Sequence, residues 1–171
     1  MEPSIAAARF RSLASPILNL TQQAAPALTR AVLGTAFVQT GLGKWEHFSR
    51  TVEFFESIGI PAPAANAAFI ASLEVAGGAA LVLGLGTRAF SALLGCTMVT
   101  AIATAERNAF LAALRPGAEK GLLDVVPFVY LLLLSGLAAF GGGALSLDRL
   151  LFGRPSMGAP FRPAGAQGAS L

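Results

Sequence analysis

Charge is what this sequence has least of. Only 12% of its 171 residues are Asp, Glu, Lys or Arg, about half the share of an ordinary soluble domain. With 54% hydrophobic residues and a mean hydropathy of +0.66, the chain has too little polar surface to cover a soluble core of this size. The composition points to a membrane protein. Cysteine and histidine are almost missing too. Cys96 alone excludes an intrachain disulfide and a CxxC redox pair, and His47 alone excludes the paired imidazoles that hold membrane b-type haems. No metal-ligand spacing is visible, so this chain alone is expected to bind neither metal nor cofactor. Twelve Lys and Arg against nine Asp and Glu leave +3, too dispersed to line a nucleic-acid groove. The Gly-rich FGGGALSLD lacks the Lys and the preceding strand of a nucleotide loop.

What the sequence does have is long apolar runs. A membrane helix needs about 20 predominantly apolar residues, and four segments offer them: Pro26 to Trp45, Ala64 to Gly86, Ala89 to Ala105, and Val125 to Leu147. The last is expected to enter at about Leu122, with Pro127 in its first turn. The third is short. The expected fold is therefore all-α, an integral membrane four-helix bundle with short interfacial helices. GLGTR, ending in Arg88, makes the second and third spans a tight hairpin. In EHFSRTVEFFESIGIPAP, Phe48, Val52, Phe55 and Ile58 recur at helical spacing, which predicts an amphipathic helix ended by Gly59 and Pro61. ERNAFLAALRPGAEK reads as a second, shorter interfacial element.

Three regions follow: an N-terminal cytoplasmic or interfacial segment at 1–25, a membrane domain at 26–152, and a disordered tail at 153–171 that is rich in Gly, Pro and Ala. No secretory signal is visible, because Arg9, Arg11 and Pro16 interrupt any apolar core. Arg9, Arg11, Arg88, Arg149, Arg154 and Arg162 flank the spans on one side; Lys44, Arg50, Arg107, Arg115 and Lys120 flank them on the other. Six against five favours both termini in the cytoplasm.

Charged groups within spans are costly and usually face a bundle interior. Glu74 is the sharpest case, near the middle of the second span. In the first span Arg30, Gly34, Phe37, Gly41 and Lys44 are spaced 4, 3, 4 and 3, which puts them on one inward face. Lys44 is favoured over Arg30 as the partner of Glu74, with snorkelling to the interface as its other use. Asp124 either completes a polar cluster with Lys44 and Glu74 or favours the N-terminal end of its own helix. Ala68, Ser72, Ala76, Ala80 and Gly84 form a ridge of small residues suited to close helix packing. Gly77 and Gly78 follow Glu74 by one turn. Cys96 reads as a small packing residue, His47 as an interfacial anchor beside Trp45, and Phe37 and Phe69 as aromatic surroundings of the acid.

Taken in order, Arg30 with Gly34, GLGK from Gly41 to Lys44, IGIPAP with Pro61, LEVAGG with Glu74, Gly77 and Gly78, GLGTR with Arg88, and ALSLD with Asp148 resemble the DoxX family from Arg30 to Leu151. The resemblance implies a four-helix protein of the bacterial inner membrane, in a group that includes the DoxD subunit of thiosulfate:quinone oxidoreductase. It further implies association with membrane redox or stress-defence complexes, with quinone as a candidate ligand and no established catalytic set to transfer. Two functions are expected. One is a membrane subunit or anchor of an oxidoreductase complex, itself non-catalytic. The other is a small-molecule transporter or partner-binding receptor. The lipid bilayer is the first expected partner, followed by a redox protein or a second copy in a homo-oligomer.

Overall fold

The computed structural model describes residues 5–143 and 146–148, with side chains from residue 24 onward. The tail at 153–171 lies outside these residues. Among them are six α-helices, one 3-10 turn and no strand: α1 Ile5–Glu46, α2 Phe48–Ser57, α3 Pro63–Leu83, α4 Thr87–Ala103, α5 Arg107–Ala113 and α6 Val126–Phe140, with the 3-10 turn at Leu122–Asp124 just before α6. The described residues form an all-helical fold. The helix α1 is continuous for 42 residues, so the boundary expected near residue 25 falls inside a helix.

The framework is set by the antiparallel pairing of α1 and α3, the most extensive contact in the protein. Glycine explains how close it is. A Cβ on Gly34 would lie 2.6 Å from the Gly78 carbonyl oxygen, and one on Gly78 would lie 2.6 Å from that of Gly34. Seven residues along, a Cβ on Gly41 would lie 2.8 Å from the Ala71 carbonyl oxygen. Three glycines thus let two backbones touch where any side chain would wedge them apart. Two adjacent glycines in mid-helix cost about 1 kcal/mol each in helix propensity. Successive residues point about 100° apart, so each glycine serves a different neighbour: Gly78 faces α1, and Gly77 packs against the Leu94 side chain of α4.

The packing line of α3 is Ala67, Ala71, Glu74, Gly78 and Leu81, all buried. It runs one to three positions before the expected ridge, of which Ala80 and Gly84 are buried while Ser72 and Ala76 face outward. From α3 the chain turns through Gly84 and Gly86, both at positive φ, into α4. There α4 packs on α3 and on α6, and α6 meets α1 where the Phe37 and Tyr130 rings lie 5.5 Å apart. One apolar core joins all four: Leu33, Phe37, Leu81, Leu94, Met98, Leu134 and Leu137. Cys96 and Phe69, expected inside, are exposed.

The amphipathic stretch forms α2, which packs on α3 and buries Phe55; Gly59, at φ 77°, ends it. The helix α5 is bent 82° from α4. The expected fourth span is shortened, since α6 stops at Phe140 after 15 residues. Gly141 and Gly143 adopt positive φ, which ends the helix and brings Ser146–Asp148 back over the α3–α4 turn. By length and composition, α3 is the one described helix able to cross a membrane alone, and α4 with α5 qualifies as a broken pair.

Because Gly34 touches backbone while Gly43 has nothing within 4 Å of its Cβ position, Gly34→Val should lower unfolding stability by about 1–3 kcal/mol. Gly43→Ala should be neutral or stabilising by up to ~1 kcal/mol. Thermal or denaturant unfolding of the two purified variants checks the contrast.

Candidate functional site

The α1–α3 register decides which charges meet. Gly41 lies opposite Ala71 and Val75, and Gly34 lies opposite Gly78 and Val82. This places Lys44 one helical turn beyond the level of Glu74, within reach of a long side chain, and sends Arg30 to the other end of the interface, about 21 Å from Lys44 along the axis. The Lys44 ammonium donates to the Glu74 carboxylate, forming the salt bridge recorded among the described residues. The partners are unequally covered: the Glu74 side chain is 4% exposed and that of Lys44 27%. The acid is locked between helices, while the base reaches it from the last turn of α1. There Thr51 of α2 donates to the Lys44 carbonyl at 3.4 Å and the His47 carbonyl at 3.2 Å, tying α2 down beside the pair.

Asp124 stands elsewhere. It is exposed, and its carboxylate accepts from the Gly121 amide at 2.7 Å, the local use of an acid at a helix start. It does not join Lys44 and Glu74. Pro61 is also exposed, and its carbonyl accepts from Asn66 at 2.6 Å, holding the α2–α3 turn in which Ala62 takes a left-handed φ of 45°.

A second polar cluster occupies the opposite end. The helix α4 starts after Gly86, which has no side chain to cap it. Asp148 supplies the cap from 62 residues away, accepting from the Gly86 amide at 2.7 Å and the Thr87 amide at 3.1 Å. Its own amide donates to the Gly84 carbonyl at 3.1 Å. Arg88 closes the neighbouring helix end: its guanidinium donates to the Ala138 carbonyl at 2.9 Å and the Ala139 carbonyl at 2.8 Å, covering the last carbonyls of α6. Arg30, 3% exposed, lies against Gly84 and Gly142, where a Cβ on either would meet its guanidinium, and feels the charge of Asp148. The pairings of Asp148 and Arg88 were not visible in their local sequence. The clue was a helix start at Gly86 with no capping side chain of its own.

His47 is exposed at the α1–α2 junction, in a shallow hollow shared with Trp45, Phe48 and Arg50; the Trp45 and Phe48 rings stack 5.3 Å apart.

Comparison with known proteins fits this arrangement. The DoxX family model matches residues 25–107, which carry Arg30, Lys44, Glu74 and Arg88. A Bacillus subtilis (strain 168) protein named "Putative oxidoreductase CatD" is 32% identical over 137 residues, 79% of this chain and 92% of that protein. The chain belongs to the DoxX family. No solved structure matches it. In this DoxX protein, the family match encloses the Lys44–Glu74 pair and the α3–α4 turn, and ends before Asp124 and Asp148.

Since Asp148 is the cap α4 lacks locally, Asp148→Ala should cost about 0.5–2 kcal/mol of stability. Asp148→Asn should recover part of that loss. Hydrogen exchange at the Gly86 and Thr87 amides is the direct check, and unchanged protection in Asp148→Ala would contradict the assignment.

Proposed function

We propose that this DoxX protein is an integral membrane protein of the bacterial inner membrane. Its four spans are the later part of α1, then α3, α4 and α6, packed as one bundle, with α2 and α5 lying at the interface. It serves as the membrane subunit or anchor of a redox or stress-defence complex. The observation that carries the reading is an inverted distribution of side chains. The described interior holds Arg30 and Glu74, whereas Leu28, Val32, Phe69, Leu93, Val99 and Leu132 point outward. Lipid rather than water suits such a surface. At 15 residues α6 spans only ~22 Å, and the 3-10 turn before it and local thinning of the bilayer make up the difference. An even number of spans leaves both chain ends on the side of Arg30, Arg88 and Asp148, which we assign to the cytoplasm.

The redox part rests on the relative's name and on the family. A quinone headgroup does not fit at Glu74: the carboxylate is nearly fully covered and already engaged by Lys44. Cys96 on the outside of α4 and His47 at the α1–α2 junction are on separate elements, so in this reading the electron-carrying group belongs to the partner. The chain contributes the membrane scaffold and a buried ion pair that fixes its shape.

Purification in mild detergent followed by mass spectrometry should recover an oxidoreductase with the wild-type chain. In a complementation assay, Glu74→Gln, whose carboxamide oxygen can still accept from Lys44 and so keep the helix register, should accumulate to near-normal levels yet lose most activity. Full activity of Glu74→Gln would remove the pair from function. A purified chain with no redox partner would favour the transporter or receptor class instead.

A further inference from the structure

We propose that the outer face of α1 around Gln39 is a self-association surface through which two copies of this chain meet. The inference rests on the membrane reading above. By the α1–α3 register, Gln39 is level with the middle of α3, since Gly41 next to it lies opposite Ala71 and Val75. Its side chain is exposed. Ala31, Val32, Thr35, Ala36 and Gln39 line a shallow depression there.

The hydroxyl of Thr35 is satisfied within its own helix, donating to the Ala31 carbonyl at 2.7 Å. The Gln39 carboxamide has no such partner among the described residues. An exposed carboxamide at mid-span, facing hydrocarbon, leaves two donors and an acceptor unmet. Another helix is the natural source of those bonds, and the small Ala31, Thr35 and Ala36 let one approach closely.

The chemistry of the face selects its occupant. Every residue lining the depression is uncharged, so a charged partner group would meet no counter-charge in a medium that penalises it. A carboxamide, by contrast, is complementary to itself. Across a two-fold axis each Gln39 donates to and accepts from its symmetry mate, which is what a closed two-copy interface requires.

The test uses the full chain in its native membrane. Ala36→Cys combined with Cys96→Ser leaves one thiol in the depression one turn from Gln39, which keeps its carboxamide, and Phe69→Cys combined with Cys96→Ser places one on the exposed face of α3 as a control. Under mild oxidation, Ala36→Cys should give a disulfide-linked dimer on a non-reducing gel, and the Phe69→Cys control should stay monomeric. In mild detergent, Gln39→Leu should weaken the dimer roughly 3- to 20-fold, and Gln39→Asn should retain more of it. The proposal is overturned if Ala36→Cys stays monomeric, cross-links no better than the control, or links to a different protein. Alkaline carbonate extraction separates the two failures. A chain released from membranes overturns the membrane reading and this proposal together; a chain retained but monomeric overturns only this one.

Discussion

The rest of the structure depends on one contact across the α1–α3 interface, the ion pair between Lys44 and Glu74. Taking a carboxylate into a protein interior is unfavourable by several kcal/mol unless a partner and good geometry offset it. The Glu74 side chain is almost fully covered, so its place is acceptable only where Lys44 reaches it. That requirement fixes the sliding position of one helix on the other. The glycines make the same statement sterically. Gly34 against Gly78 and Gly41 against Ala71 allow backbone contact in this register. Charge and shape thus agree on one alignment, as expected of a sequence that specifies a single packing.

The other end of the bundle uses a different device. There, backbone groups left open at helix ends are closed by charged side chains from distant parts of the chain. Asp148 caps the start of α4 and Arg88 covers the end of α6. Both links cross the α4–α6 contact, and Asp148 also acts on Arg30 of α1. One end of the interface is therefore held by an ion pair between two helices, and the other by a short return of chain that stitches α3, α4 and α6 together. The partly exposed Lys44 end of this frame lies beside α2.

Much of this was legible in the sequence, and the exceptions have identifiable causes. The 4, 3, 4, 3 spacing of Arg30, Gly34, Phe37, Gly41 and Lys44 marks one helical face, and the structure places these residues along the α1 interface. The preference for Lys44 over Arg30 needed only the antiparallel arrangement of neighbouring helices. The ridge of small residues on α3 is split, Ala80 and Gly84 buried and Ser72 and Ala76 outward, because small residues occur on both faces. Ala71 and Ala76 look alike until the neighbour is known, yet one is buried and the other exposed. Asp124 could not be placed because a carboxylate before a helix satisfies local amides as readily as a distant cation. The end of α6 was missed because hydropathy continues through the glycines at 141–143, whereas the backbone there turns at positive φ. The pairings of Asp148 and Arg88 are long-range, and no local pattern announces them.

The central claim is that Lys44 and Glu74 act as a unit in setting the α1–α3 register. A double-mutant cycle on unfolding stability with Lys44→Met, Glu74→Met and the two combined measures it most directly. The account predicts that Lys44→Met is the worse single change, costing about 3–5 kcal/mol because it strands a buried carboxylate. The double variant should regain most of that loss. If the two effects simply add, the pair is not the constraint on which the fold depends.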